Sequence, residues 1–259
     1  MFEIAERAKI LFLDIETAPL TVHTWGIYEQ NALHVLAPGF LLAFSFKWQH
    51  ERKVQVRCLP DYPGYAKNKR DDSKLLTELH SLLEACDICI AHNGDRFDVP
   101  KINARFIELG LPPPSPYKTV DTLKIARKHF RFDEGCKLDS LGRYLHVGHK
   151  VRGMSIDIWL DCMAGKNESW EKMRRYAERD TALLERVYNK LRPWTTTHPN
   201  LGFYSRKADA CPVCESSKLK CNGRRFLSTG YRQQYKCMSC NHQFVTGKLL
   251  RFEHETRTP

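Results

Sequence analysis

Four of the chain's ten cysteines stand in two Cys-x-x-Cys pairs, Cys211-Pro-Val-Cys214 and Cys237-Met-Ser-Cys240, with 22 residues between the pairs. A segment this short can build little core of its own, so its fold is set by whatever joins the four sulfurs. Two knuckles at this spacing offer four thiolates to one tetrahedral zinc ion, whose binding would supply most of the segment's folding free energy. The other cysteines, 58, 86, 89, 136, 162 and 221, are scattered. That distribution suits a reducing compartment better than a disulfide framework. Tyr231-Arg-Gln-Gln-Tyr235 reads as a strand leading into the second knuckle. Cys221 and His242 lie close by but complete no pair, so they are set aside as ligands. Cys86-Asp-Ile-Cys89 has no second pair and straddles the entry to a strand, where its side chains diverge.

Upstream, strand-like and helix-like segments alternate. Lys9 to Asp14 is a short apolar run of the kind found in central strands. Residues 40–48 and 53–59 are two further strand candidates, the second alternating through Val54, Val56 and Cys58. Leucines 75, 76, 79, 82 and 83 give residues 71–85 helical spacing. A strand over 87–91 and a helix over 99–109 follow, the helix stopped by Gly110 and three prolines. Residues 168–192 read as one helix closing the domain. The pattern predicts an α/β fold with a mixed five-stranded sheet flanked by helices. Pro193, Trp194, three threonines, Pro199 and Gly202 break it, which places a domain boundary between about 194 and 208. The expected division is a domain over 1–195 and a zinc-binding module over 206–250.

Forty-one Lys and Arg against 30 Asp and Glu leave a net charge of +11. A surplus of this size favours a polyanionic partner or marks a basic surface without one. The longest apolar run, Phe40 to Phe46, is far short of the ~20 residues a membrane span needs. The start, MFEIAERAK, carries two acids and no apolar stretch, unlike a secretory leader. No membrane partner is expected.

Four acids stand out by position. Asp14 and Glu16 flank Ile15 at a strand end, and residues i and i+2 of a strand share a face. Asp98 follows a strand and the polar turn His92-Asn93-Gly94-Asp95-Arg96-Phe97. Asp180 lies one helical turn after Tyr176, on the same face. Carboxylates brought together repel unless a cation neutralises them, and hard oxygen ligands select Mg²⁺ or Mn²⁺. Phosphodiester hydrolysis uses such a cluster to hold two ions about 3.5–4 Å apart. Asp95, Asp121, Asp157 and Asp161 are expected to be turn, cap or surface residues, and His92 to pack.

Asp14-Ile15-Glu16, Asn93-x-x-x-Phe97-Asp98 and Tyr176-x-x-x-Asp180 resemble, in order and spacing, the three exonuclease motifs of the DEDDy branch of the DnaQ-like, ribonuclease H-like superfamily. The resemblance spans about residues 9–192. With the zinc ribbon, the layout is similar to predicted phage and bacterial exonucleases. It implies that Asp14, Glu16, Asp98 and Asp180 hold two divalent ions, Asp14 bridging them and Asp98 acting on the second. Tyr176 would orient the attacking water first and act as a base second. The implied activity is removal of nucleotides from a 3′ end, with single-stranded DNA favoured, in proofreading or DNA processing. The implied location is the cytoplasm of a bacterial or phage-infected cell, with a replication protein such as a polymerase as a further partner.

Nucleic-acid contacts are expected from Asn93, from the basic stretch containing Lys124, Arg127 and Lys128, and from the cysteine module. There Arg224, Arg225 and Arg232 interleave with Tyr231 and Tyr235, which suits backbone tracking with base stacking. Three other readings stay open: an exoribonuclease of the same fold, a non-catalytic nucleic-acid-binding protein, and a zinc-ribbon adaptor.

Overall fold

The structure is a computed structural model, described over residues 7–28, 30–207 and 209–250. The chain divides into two compact units, Lys9–Tyr188 and a second containing Asn189–Pro259 with Met1–Ala8. Ten strands and six α-helices are found among the described residues.

The first unit has the expected architecture, a mixed five-stranded sheet flanked by helices. Its strands are β1 (Ile10–Thr17), β4 (Leu41–Trp48), β5 (Gln55–Cys58), β6 (Ile88–Ala91) and β7 (Lys118–Asp121), in the order β5-β4-β1-β6-β7. β1 pairs antiparallel with β4 and parallel with β6, and so is central. Between β1 and β4 the chain leaves the sheet as a separate hairpin, β2 (Thr21–His23) with β3 (His34–Ala37). The helices are α1 (Ser73–Ala85), α2 (Asp98–Glu108), α3 (Thr122–His129), α4 (Leu138–Tyr144), α5 (Ile156–Ala164) and α6 (Asn167–Leu191). No described helix is long and apolar enough to cross a membrane.

The strong periodicities are realised within a residue or two of their expected limits. One face of β1, with Leu11, Leu13 and Ile15, joins a buried cluster containing Leu75, Leu76, Leu79 and Leu83 of α1. The alternate face belongs to α6. Ser45 of β4, paired in register with Asp14, donates its hydroxyl to the Ala177 carbonyl at 3.0 Å and lies 2.6 Å from the Thr181 hydroxyl. Two residues along β4 and one helical turn along α6, Lys47 pairs with Glu185 at 2.5 Å. Phe12, two residues before Asp14, meets the ring of Tyr188 edge-on at 5.5 Å. These contacts lay α6 along the face of the sheet that carries Asp14 and Glu16.

The second unit contains β8 (Leu219–Leu227), β9 (Gly230–Cys237) and β10 (Gln243–Val245) as a three-stranded antiparallel sheet of order β10-β9-β8. The strand read from Tyr231 to Tyr235 is the body of β9. Residues 251–259, with their arginines 251 and 257, lie outside the described residues.

Candidate active site

Two side chains of the candidate site come from the end of β1. Asp14 and Glu16 project together towards α6, and the β1–β4 register shifts between Glu16 and Thr17. Such an irregularity twists a strand locally and re-aims the side chain beside it. From α6 comes Asp180, fully buried. One carboxylate oxygen from each of Asp14, Glu16 and Asp180 lies within 4.8 Å of the others.

Asp98 stands beside this triad rather than within it. It opens α2, where the helix N-terminus favours an acid, and its Oδ1 accepts from the Ile15 N–H at 3.2 Å. The turn that delivers it is tightly built. Asn93 adopts a left-handed φ of 68°, and its carbonyl accepts from the N–H groups of Arg96 and Phe97. Its own N–H donates to Asp121 Oδ1 at 2.9 Å. Asn93 is therefore a turn former here. Asp121 caps α3 through Leu123 N–H, as expected of a cap residue. His92 packs, its Nδ1 2.8 Å from the Thr122 hydroxyl, with burial pushing its pKa down to about 4.

Burial raises all four acids, and mutual repulsion adds to it for Asp14 and Glu16. Asp14 is raised by burial, then by Glu16, Asp98 and Asp180. Burial and Asp180 push Glu16 up to about 8, and burial lifts Asp98 to about 7. Asp180 is also raised by burial, against the pull of Lys150. Raised acids gathered in this way are compatible with a cation site, because a divalent ion would offset the repulsion. The Asp180 Oδ1 atom supports the fit independently: it is buried with no hydrogen-bond partner, a costly state that an oxygen-seeking cation relieves.

Two partners escaped the sequence reading. Lys150, from the loop after α4, places Nζ 2.5 Å from Asp180 Oδ2 and 3.0 Å from the Tyr176 hydroxyl. Its own N–H donates to Asp139 Oδ1 at 2.8 Å, which fixes the loop. Burial alone would lower Lys150, but Asp180 and the Tyr176 oxygen reverse this and hold it above its usual value. Trp159 of α5 donates its indole N–H to Glu16 Oε2 at 3.2 Å and meets the Tyr176 ring edge-on. Tyr176 is raised above its ordinary value by burial and by Asp180. Beside it lies a cavity of about 410 Å³ whose lining includes Arg143, His149, Lys150, Arg152 and Tyr176.

Of the basic residues expected to meet nucleic acid, Lys124, Arg127 and Lys128 are exposed on α3, and Lys124 is paired with Asp95 at 2.6 Å. Asp161 pairs with Lys166 at 2.7 Å, and Asp157 accepts from the Ser155 hydroxyl.

In the second unit the four knuckle cysteines converge. Cys211 and Cys240 sulfurs lie 3.6 Å apart, as do those of Cys214 and Cys237. A tetrahedron with Zn–S of about 2.3 Å has edges of about 3.8 Å, whereas a disulfide would need about 2.05 Å. The knuckles repeat one geometry: Glu215 N–H donates to the Cys211 carbonyl and Asn241 N–H to that of Cys237, each at 2.9 Å. Both Glu215 and Asn241 take a left-handed φ. The cluster is compatible with a zinc ribbon. Cys221 is exposed and its sulfur accepts from Gln233, while His242 Nδ1 lies 2.8 Å from the Pro193 carbonyl. Neither joins the cluster.

On the ribbon, Arg224 and Arg225 are exposed and Arg232 is half-buried. Arg224 lies over the Tyr231 ring at 4.7 Å, with Phe226 exposed beside it. Tyr235 stacks on Phe244 at 6.0 Å and so serves the module's own packing.

Comparison with known proteins places these features in context. Residues 11–192 match the family described as the RNase_H superfamily. The protein named Protein NEN3 of Arabidopsis thaliana is 27% identical over 165 residues, covering 59% of this chain and 32% of its own length. The family B DNA polymerase of the hyperthermophilic archaeon Pyrobaculum calidifontis superposes with a TM-score of 0.50 at 14% identity, over 86% of this chain and 31% of the polymerase. The chain spans about a third of the length of each, and the second likeness is one of fold alone.

Proposed function

The chain belongs to the RNase_H superfamily, and from that premise we propose that it is a metal-dependent 3′→5′ exonuclease of the DEDDy type, with single-stranded DNA as the favoured substrate. The observation that carries this reading is the buried triad of Asp14, Glu16 and Asp180, with Asp98 beside it and Tyr176 one turn from Asp180. Residues 1–195 would form the nuclease domain and 206–250 a zinc ribbon, in which Cys211, Cys214, Cys237 and Cys240 would hold one structural zinc ion.

Asp14, Glu16 and Asp180 would hold one or both of two Mg²⁺ or Mn²⁺ ions, with Asp98 contributing to the second. When bound, the ions supply Lewis acidity for the attacking water and charge compensation for the leaving oxygen. The protein's part is positional. Lys150 occupies Asp180 Oδ2 and leaves Oδ1 without a hydrogen-bond partner. The Ile15 N–H fixes one oxygen of Asp98, and the Trp159 N–H fixes one of Glu16. The Tyr176 oxygen accepts from Lys150, and its own proton is hard to remove because burial raises its pKa. Tyr176 is therefore a hydrogen-bonding guide for water or phosphate first and a base second. The cavity beside it, rimmed by Arg152 and His149, has the volume and charge for part of a nucleotide. Arg127 and Lys128 on α3, and Arg224, Arg225, Arg232 and Tyr231 on the ribbon, are the nucleic-acid contacts each unit offers.

The test is a 5′-labelled single strand, DNA beside RNA, with Mg²⁺ or Mn²⁺, and with Asp14→Ala and EDTA as controls. A descending ladder lost in both controls is expected, faster on DNA. A faster ladder on RNA would make the protein an exoribonuclease. Binding without any cleavage would sink the enzyme reading.

A further inference from the structure

We propose that the β2–β3 hairpin is a base-stacking finger, whose tip residues Trp25, Ile27 and Tyr28 pack against unpaired bases of the strand whose 3′ end lies at the carboxylates. The inference rests on the nuclease reading and adds a substrate contact to it. Trp25, Ile27 and Tyr28 are 88%, 87% and 80% exposed, and Leu20, Leu33 and Leu36 of the same hairpin are about half exposed. Large apolar side chains gathered at one surface feature mark an interaction site.

The position of the hairpin points to the occupant. The β1–β4 ladder, which carries Asp14 and Glu16, continues past its last pair through a bond from Ala18 N–H to the Phe40 carbonyl at 2.9 Å. The hairpin springs from that bond. Gly39 keeps its base closed, since a Cβ there would lie 2.8 Å from the Ala18 carbonyl oxygen. Trp25 follows Glu16 by nine residues, so the tip stands no more than about 30 Å along the chain from the carboxylates. A strand with its terminus in the site has to leave past neighbouring surface, and the hairpin is joined directly to the end of β1 that carries Glu16.

The chemistry of the hairpin selects bases rather than phosphates. Residues 18–39 contain no lysine or arginine, in a chain with a net charge of +11. What the tip presents is flat rings and an aliphatic side chain, and every base has a π-face to set against them. The tip is also pre-ordered. Thr24 donates its hydroxyl to the Gly26 carbonyl at 2.7 Å, Gln30 donates its amide to the Tyr28 carbonyl at 2.9 Å, and Leu33 N–H donates to the His23 carbonyl at 2.9 Å. Backbone already fixed loses little entropy on binding.

The experiment is a cycle between protein and substrate. Labelled single strands carry one abasic nucleotide at successive positions back from the 3′ end. Their dissociation constants for the wild type and for the Trp25→Ala/Tyr28→Ala double variant are measured by fluorescence anisotropy without added Mg²⁺ or Mn²⁺. Circular dichroism confirms that the variant is folded. The wild type is expected to bind about tenfold more weakly when the abasic site reaches the finger, and to be indifferent to it elsewhere. The double variant is expected to bind every strand equally and weakly. Abasic penalties that are the same in both proteins would overturn the proposal. So would sedimentation velocity showing that the variant dissociates a dimer while strand affinity is unchanged, which would give the tip to a second copy of the chain. A cleavage ladder without this coupling removes the finger alone; the coupling without a ladder removes the enzyme reading and keeps the finger.

Discussion

At the scale of single residues, Lys150 decides how Asp180 is used. Its ammonium stands against one oxygen of a carboxylate that has no exposure to solvent. Removing one partner of such a pair leaves an unbalanced buried charge, at about 3–5 kcal/mol. Lys150→Met is therefore expected to lower the melting temperature without added divalent ions by about 6–20 °C, given about 2–4 °C per kcal/mol for a chain of this size. Added Mn²⁺ should recover most of that loss, because the ion replaces the missing charge, while cleavage stays at least about tenfold below the wild type. Differential scanning fluorimetry with and without Mn²⁺ reads the first part and the labelled-strand assay the second; a variant as stable as the wild type without added ions would count against the pairing. The carboxylates were visible in the sequence because their chemistry needs fixed spacings, two residues on a strand and four on a helix. Lys150 was not. It sits in an irregular loop 30 residues from its partner, and no periodicity announces a lone lysine that folds back onto a helix.

Among the elements, those with a strong repeat were legible and those held by tertiary context were not. The leucines of α1 and the long amphipathic α6 announce themselves. β7, α4 and α5 are short, and β2 and β3 are exposed strands of three and four residues without alternation. The hairpin carries apolar residues where a solvated loop would carry polar ones, so pattern alone could not separate it from the core. The turn into α2 was readable as a turn, but its tightness is a packing fact. A Cβ at Gly94 would lie 2.4 Å from that of Ala91. Gly94→Ala should therefore shift the turn and cost about 1–3 kcal/mol, as overpacking usually does. It should also weaken cleavage, since the same turn delivers Asp98, four residues on. Urea unfolding of Gly94→Ala beside Ala91→Gly/Gly94→Ala checks this: the second substitution removes the clashing methyl and should recover part of the loss. A destabilisation unchanged by Ala91→Gly would put the strain elsewhere.

For the molecule as a whole, pH and divalent cation are linked through the raised acids. A carboxyl whose folded pKa lies above its unfolded value binds more protons in the folded state, so stability falls as pH rises between the two. Glu16, at about 8 when folded against 4.5, acts in this sense across that whole interval. His92 and His198, both pushed down to about 4 by burial from 6.5, act oppositely but only below about 6.5. Between pH 6.5 and 8 the histidines no longer contribute, but Asp14 and Asp98 act with Glu16, and Cys240, held well below its usual value by Cys211 and Cys214, acts against them. Glu16 is therefore read as a difference: without added divalent ions the wild type should lose about 1–2 kcal/mol more than Glu16→Gln across this window, at about 1.4 kcal/mol per pKa unit. Saturating Mg²⁺ should remove that difference, and slopes that coincide without added ions would contradict it.

Asp14 lies on the first strand of its unit and Asp180 on the last helix, joined across the sheet by Ser45 and Thr181. During synthesis the two acids leave the ribosome on the order of ten seconds or more apart, at about 5–20 residues per second. A nascent chain stalled before α6 would carry the central strand and the finger but no complete cation site. The carboxylate cluster is thus completed only when the last helix of its unit has been made.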